Sequence, residues 1–189
     1  MLKPSGGPPS GPQDWNDAGT PSRQASLIVD PPNGRLPALT PDGAERARTW
    51  QRTAAAPAGP EDLNPYDRCI TRGVLGSIFP NIYNSASQIL QVPGAVIIQH
   101  EMIHEVRVIP VDGRPHLPDS IRLYMGDPRG HWEGDTLVVE TTNMNGKTWL
   151  NEVGDVISHA ATVVERFTPV NADRITYRAT VTDPNVYTK

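Results

Sequence analysis

Five histidines and the charged residues near them are the side chains in this sequence that are best suited to chemistry. Two of the histidines lie in the string His100-Glu101-Met102-Ile103-His104, the spacing by which many zinc peptidases are found. On a helix this spacing brings both rings to one ion. On a strand the same residues span ~13 Å, and one zinc ion with ligand distances of ~2 Å cannot reach both rings. The backbone conformation therefore decides whether this string is a zinc site.

The stretch 95–109 favours a strand over a helix. About half of its residues are β-branched, Pro93 and Gly94 precede it, and Pro110 follows it. No capping residue starts a helix here, although apolar residues at helical spacing keep that alternative open. We predict one long strand.

Such a strand divides the candidate residues between its two faces. His100 and His104 would share one face with Met102, whereas Glu101 and Arg107 would lie on the other. His104 is then one wall of a ligand pocket or a hydrogen-bonded wall residue. Glu101 and Arg107 are either part of a solvated charged face or the polar floor of that pocket.

Histidines from separate strands offer a second route to a metal site. His100, His104 and His116, with Glu101 or Glu105 as a base, are of the types that suit zinc or copper. No two histidines have the i, i+2 spacing of strand neighbours, so this metal site is the weaker hypothesis.

Trp132 follows His131 and precedes a Glu-Gly-Asp turn. An aromatic ring at that position either stacks on a sugar or aromatic ligand at a barrel mouth or plugs the core.

Composition limits the classes of function. The net charge of −4 with no basic run argues against nucleic-acid binding, and no apolar stretch is long enough to span a membrane. One cysteine excludes an internal disulfide. Residues 1–26 are rich in Pro, Gly and Ser, which indicates a flexible tail. Residues 27–189 are predicted to form a single β-rich domain.

Turn residues indicate the architecture of that domain. Thr40-Pro41-Asp42 is a helix start, which predicts a helix over about 41–54 anchored by Trp50. From about 93 to 183 we predict six or seven antiparallel strands, with a hairpin at Asp112-Gly113 and tight turns at 133–135 and 171–173. The fold class is mainly β: a meander that closes into a small lipocalin-like barrel.

Four stretches carry a resemblance to a known family. They are residues 26–43, 68–73, 101–149 and 165–189, with the motifs DGRPH and WEGDTLVVETTN the most specific. They resemble a family of bacterial proteins from acidobacterial, proteobacterial and environmental genomes that are usually exported and have no settled activity. The resemblance implies a periplasmic or extracellular location.

The resemblance also selects site candidates. The residues that match the family pattern are His104, Arg107, Asp112, Arg114, His116, Trp132 and Arg166. Members commonly have another residue in place of His100, which argues against a zinc peptidase.

Three functions follow as expectations. The first is a carrier or binding module for a small organic ligand, with the pocket residues His104, Arg107, His116, Trp132 and Arg166. The second is a metal-assisted hydrolase or oxidoreductase, with His104, Glu101 and Arg107 as catalytic candidates. The third is an accessory subunit, a homo-oligomer or a partner-bound protein, held through the Pro-rich N-terminal arm. The sequence leaves open whether the protein is an enzyme.

Overall fold

The computed structural model describes residues 26–79, 86–150 and 154–189, so most of the predicted N-terminal tail lies outside the described residues. Its regular elements confirm a mainly β fold with one α-helix. In chain order they are α1 (Pro41–Ala55), β1 (Ser87–Val92), β2 (Ala95–His100), β3 (Val106–Pro110), β4 (Asp127–Glu133), β5 (Thr136–Thr142), β6 (Thr162–Asn171) and β7 (Arg174–Thr182), with short 3-10 turns at Pro60–Asp62 and Met102–His104.

The strands form two antiparallel sheets. The three-stranded sheet has the order β1-β2-β3 and the four-stranded sheet the order β4-β5-β6-β7. Within the described residues no barrel closes, so the expected lipocalin-like barrel is corrected to two sheets. The meander order within each sheet is as predicted, because every strand pairs with its neighbour in the chain. The connections are short except between β3 and β4 and between β5 and β6, where residues 143–161 intervene.

A shared apolar core joins the two sheets. Val96, Ile98 and Ile109 of the three-stranded sheet pack with residues of the four-stranded sheet, namely Leu137, Val139 and Phe167. Complete burial of such a side chain stabilises the fold by about 1.5–3 kcal/mol. We call the faces that contribute to this core the inner faces of the two sheets.

The predicted long strand over 95–109 is wrong in its middle. The chain reverses between β2 and β3, where Ile103 and His104 have φ angles of 60° and 56°. The His100 N–H donates to the Glu105 carbonyl, 2.8 Å away, and this bond closes the hairpin. Because the chain turns, His100 and Arg107 both have buried side chains on the inner face, and the predicted division between faces fails.

The predicted hairpin at Asp112-Gly113 is also absent. β3 ends at Pro110, and the following connection, residues 111–126, contains no regular strand before β4. The Asp112 carboxylate accepts hydrogen bonds from Arg114, which hold the pKa of Asp112 down at about 2. β2 forms a further hairpin with β1, which turns at Pro93-Gly94 and was not predicted.

The helix lies where the sequence places it. The Thr40 hydroxyl accepts a hydrogen bond from the Gly43 N–H at 3.0 Å, as expected of a helix cap. Trp50 packs edge-on against Trp149, with ring centroids 4.4 Å apart. The helix approaches the C-terminal segment so closely that a Cβ on Gly43 would lie 2.4 Å from the Val186 carbonyl oxygen. None of the described helices has the length and apolar character that crossing a bilayer requires.

Candidate functional site

The sequence candidates are distributed over four separate places. Glu101 and His104 lie exposed on the β2–β3 turn. Arg107 lies between the sheets, His116 lies on the 111–126 connection, and Arg166 lies on the outer face of the four-stranded sheet.

Arg107 is half of a buried ion pair. Both terminal nitrogens of its guanidinium donate to the two carboxylate oxygens of Glu165, and the two side chains are only 1% and 0% exposed. Burial alone would lower the pKa of Arg107, but the Glu165 carboxylate more than offsets this and raises it. The Tyr177 hydroxyl donates to Glu165 at 2.9 Å, and burial raises the pKa of this phenol. This fully enclosed pair ties β3 to β6.

His100 is the last residue of β2. Its Nδ1 is 2.8 Å from the Ser87 hydroxyl on β1, and the ring is buried. Burial, followed by the nearby positive charges of Arg107 and Arg72, lowers the pKa of His100 to about 4. His100 is therefore neutral at pH 7.

The three histidines proposed as metal ligands do not converge. His100 is buried at the end of the central strand β2, His104 is exposed on the turn, and His116 is held by other groups. Among the residues that the structure describes, no three His, Cys, Asp or Glu side chains are grouped to hold a metal ion. The predicted zinc or copper site formed by His100, His104 and His116 is therefore corrected.

His116 lies between two carboxylates. Its Nδ1 is 3.1 Å from Asp127 and its Nε2 is 3.2 Å from Glu140. Asp127 is buried and also accepts hydrogen bonds from the Leu117 N–H and from Arg129. These contacts anchor the 111–126 connection onto the start of β4. Because both ring nitrogens of His116 and the Asp127 carboxylate are used in these contacts, we assign the cluster an anchoring role.

The outer face of the four-stranded sheet holds a more open arrangement. One row across the four strands, which we call the basic row, consists of His131, Val138, Arg166 and Arg178. The next row, which we call the threonine row, consists of Thr136, Thr168 and Thr176, and the hydroxyls of Thr136 and Thr168 are 2.9 Å apart. Hydroxyl donors therefore lie beside guanidinium donors on one exposed surface.

A shallow depression of about 240 Å³ lies between these rows on β6 and β7. Its lining consists of Arg166, Thr168, Thr176 and Arg178. A depression of this size is below the usual range for a drug-sized ligand and suits a smaller molecule.

The two arginines of the depression differ in their partners. Arg166 donates to the Glu133 carboxylate, and this contact lowers the pKa of Glu133 and raises that of Arg166. The Arg178 side chain forms no ion pair or hydrogen bond with the described residues. Because Arg178 lies directly opposite Arg166, two like charges face each other on neighbouring strands.

Trp132 does not join this site. Its register with Leu137 and Phe167 places it on the inner face, although it remains 44% exposed at the sheet edge. Arg166 was a candidate from the sequence, whereas Arg178, Thr168 and Thr176 were not. The alternation of polar residues along β6 and β7 is the signal that could have included them.

Comparison with known proteins adds no relative to this geometry. No protein-family model, no curated protein and no solved structure matches the chain.

Proposed function

We propose that the protein is a binding module for a small organic anion, held at the depression between the basic and threonine rows. The observation that carries this proposal is the pair of facing arginines, of which Arg178 has no partner among the described residues. Like charges directly opposite each other on neighbouring strands destabilise a sheet. An anion bound between them removes that repulsion and gains charge-assisted hydrogen bonds.

The lining chemistry favours a carboxylate or a phosphate ester. A guanidinium presents paired N–H donors that match the oxygens of either group, and the Thr168 and Thr176 hydroxyls add further donors. Salt screens the attraction between an exposed site and a charged ligand. The specificity for a functional ligand therefore comes from the directed hydrogen bonds that these donors form.

Titration of the full chain tests the proposal. Isothermal calorimetry with a panel of small carboxylates and phosphate esters, beginning with citrate, should give saturable binding that weakens as salt is added. Arg178→Gln should weaken binding by at least about ten-fold, because a hydrogen bond to a charged group contributes about 1.5–3 kcal/mol.

Arg174→Gln is the matched control. Arg174 is an exposed arginine on the same strand, but it does not line the depression. Its loss removes the same net charge and should change the affinity by less than about two-fold on the basis of screening. Equal losses in the two variants would reduce the effect to net charge and contradict a built site.

The place of action is a second part of the proposal. The resemblance of the sequence to usually exported bacterial proteins supports a periplasmic or extracellular location. Fractionation of the bacterial cells that produce the protein, followed by immunodetection, should recover it outside the cytoplasm. Recovery in the cytoplasmic fraction alone would contradict this part and leave the ligand proposal unchanged.

A further inference from the structure

We propose that two copies of this chain associate through β1, so that their three-stranded sheets join into one six-stranded antiparallel sheet. This inference concerns the sheet that does not hold the proposed anion site, and it does not depend on that function.

The first observation is the exposed edge of the three-stranded sheet. β1 pairs with β2 on one side only, and all six of its residues are exposed. On its other side no backbone hydrogen bond joins it to the described residues. Every second residue of an edge strand directs its N–H and C=O groups outwards, where they are free to pair with another strand.

The second observation is that β1 lacks the usual protection of an edge strand. Its sequence, SQILQV, contains no charged residue and no proline. The edges of the four-stranded sheet are different: β7 carries Arg174 and Arg178, and β4 carries Pro128. The same chain thus blocks pairing at two edges and permits it at β1.

The third observation is the uncharged outer face beside this edge. Leu90, Ile97 and Val108 form one row across the three strands, and Leu90 and Val108 are 40% and 54% exposed. The remaining outer positions are Gln88, Val92, Ala95, Gln99, Val106 and Pro110. No charged side chain therefore stands on this face beside the β1 edge, where a charge would hinder the approach of another strand.

These features select a second copy as the occupant. A face without charge offers nothing to attract an acidic or basic partner, and it sets no like charges against each other when it meets itself. Antiparallel pairing about a two-fold axis also satisfies the β1 edges of both copies at once.

The register of the pairing follows from the alignment of the apolar row. Opposite residues must lie on the same face, which a two-fold axis at any residue of β1 satisfies, and the axis at Leu90 also brings the apolar rows of the two copies into line. Leu90 then lies opposite Leu90 of the second copy, and Gln88 lies opposite Val92 of the second copy. The apolar row continues without interruption across six strands: Val108, Ile97 and Leu90, followed by the same three residues in reverse order.

Sedimentation of the full chain over a range of concentrations is the first test. We expect a reversible dimer, and Leu90→Lys should convert it to a monomer because it sets two like charges opposite each other at the axis. Ile175→Lys is the control, since Ile175 on the edge strand β7 is 51% exposed against 40% for Leu90, and this variant should remain dimeric. A monomeric wild type at high micromolar concentration would overturn the proposal, and so would growth into open filaments.

Cross-linking tests the register and does not depend on the stability of the lysine variant. In a Cys69→Ser background, which removes the native thiol, Leu90→Cys should oxidise to a disulfide-linked dimer. Facing residues of antiparallel strands have Cα atoms about 4.5–5.5 Å apart, within disulfide range. Gln88→Cys should not cross-link, because its opposite residue is Val92. Efficient cross-linking of Gln88→Cys with none at Leu90→Cys would overturn the assigned register.

Discussion

The outer faces of the two sheets carry opposite chemistry at equivalent positions. On the three-stranded sheet the central row is Leu90, Ile97 and Val108, whereas the central row of the four-stranded sheet includes Arg166 and Arg178. Their inner faces are alike, since each combines a shared apolar core with polar groups held at the interior. Both sheets are antiparallel meanders joined mainly by tight turns.

This difference separates what the fold requires from what the surface is used for. Packing demands apolar inner faces from both sheets, but it makes no demand on the outer ones. An uncharged outer row beside an open edge fits strand pairing, and facing arginines beside threonines fit an anion. Each proposal therefore rests on an outer face of unusual chemistry: one face carries no charge, and the other sets two arginines opposite each other.

The largest expected effect distinguishes the inner from the outer face of the four-stranded sheet. Glu165→Gln removes the counter-charge of Arg107 while both side chains remain buried. We expect a loss of about 3–5 kcal/mol in the free energy of unfolding, measured by urea titration, because an unpaired buried charge is left behind.

Two further variants give this prediction its controls. Replacing both partners, Arg107→Met with Glu165→Leu, should recover most of the loss because no charge then remains in the interior. Glu133→Gln breaks the exposed pair with Arg166 on the outer face and should leave stability close to that of the wild type. A loss with Glu133→Gln as large as that with Glu165→Gln would remove the distinction between the two faces.

Much of the four-stranded sheet and the helix could be predicted from local signals. Thr40-Pro41 starts α1, and the Gly134-Asp135 and Ala172-Asp173 turns define the strands beside them. These residue types favour turns or caps through their own backbone preferences, so no knowledge of the tertiary structure is needed.

The β2–β3 turn could not be predicted in this way. It has Ile103 and His104 in the left-handed region, where glycine or asparagine is the usual signal. β-Branched residues continue on both sides of it, so the pattern reads as one strand. The choice between a closed barrel and two sheets depends on how the sheets pack, which alternation along one strand does not encode.

The candidate site was predictable only in part. Arg166 was named, but its pairing with Arg178 depends on an irregularity in the β6–β7 register between Pro169 and Asn171. Beyond that point the register is shifted by one residue: Asn171 faces Arg174, whereas Arg166 faces Arg178. Counting outward from the turn would place Ala179 opposite Arg166. Such a bulge follows from local strand geometry that turn residues do not reveal.

The protonation of His100, on the inner face of the three-stranded sheet, is expected to have an effect of intermediate size on stability. The folded pKa of His100 is about 4, below the ordinary value of 6.5, because of burial and the nearby arginines. Between these pH values the unfolded chain binds more protons than the folded one, so stability is complete above pH 6.5 and falls as the pH drops towards 4. The loss should be on the order of 3 kcal/mol, since one pKa unit corresponds to about 1.4 kcal/mol.

Urea unfolding of the wild type and His100→Gln between pH 7.5 and about 4.5 measures this contribution, since carboxylates that begin to titrate at the acid end do so in both proteins. The variant lacks the titrating ring, so its stability should depend less steeply on pH over this window. Parallel pH dependences in the two proteins would assign the effect to another group.

The smallest expected effect concerns ligand affinity at the outer face. Glu133 is the carboxylate that now occupies Arg166, so it competes with an added anion for the same donors. Glu133→Gln should therefore tighten the binding of citrate by a few-fold, the opposite direction to Arg178→Gln, with little change in stability. Glu45→Gln removes an equal charge from the exposed surface of α1, far along the chain from the basic row, and controls for net charge. If both variants tightened citrate binding equally, long-range charge would explain the gain. A gain confined to Glu133→Gln would place the anion at Arg166 itself. The outer face of the four-stranded sheet would then differ from that of the three-stranded sheet in binding an anion.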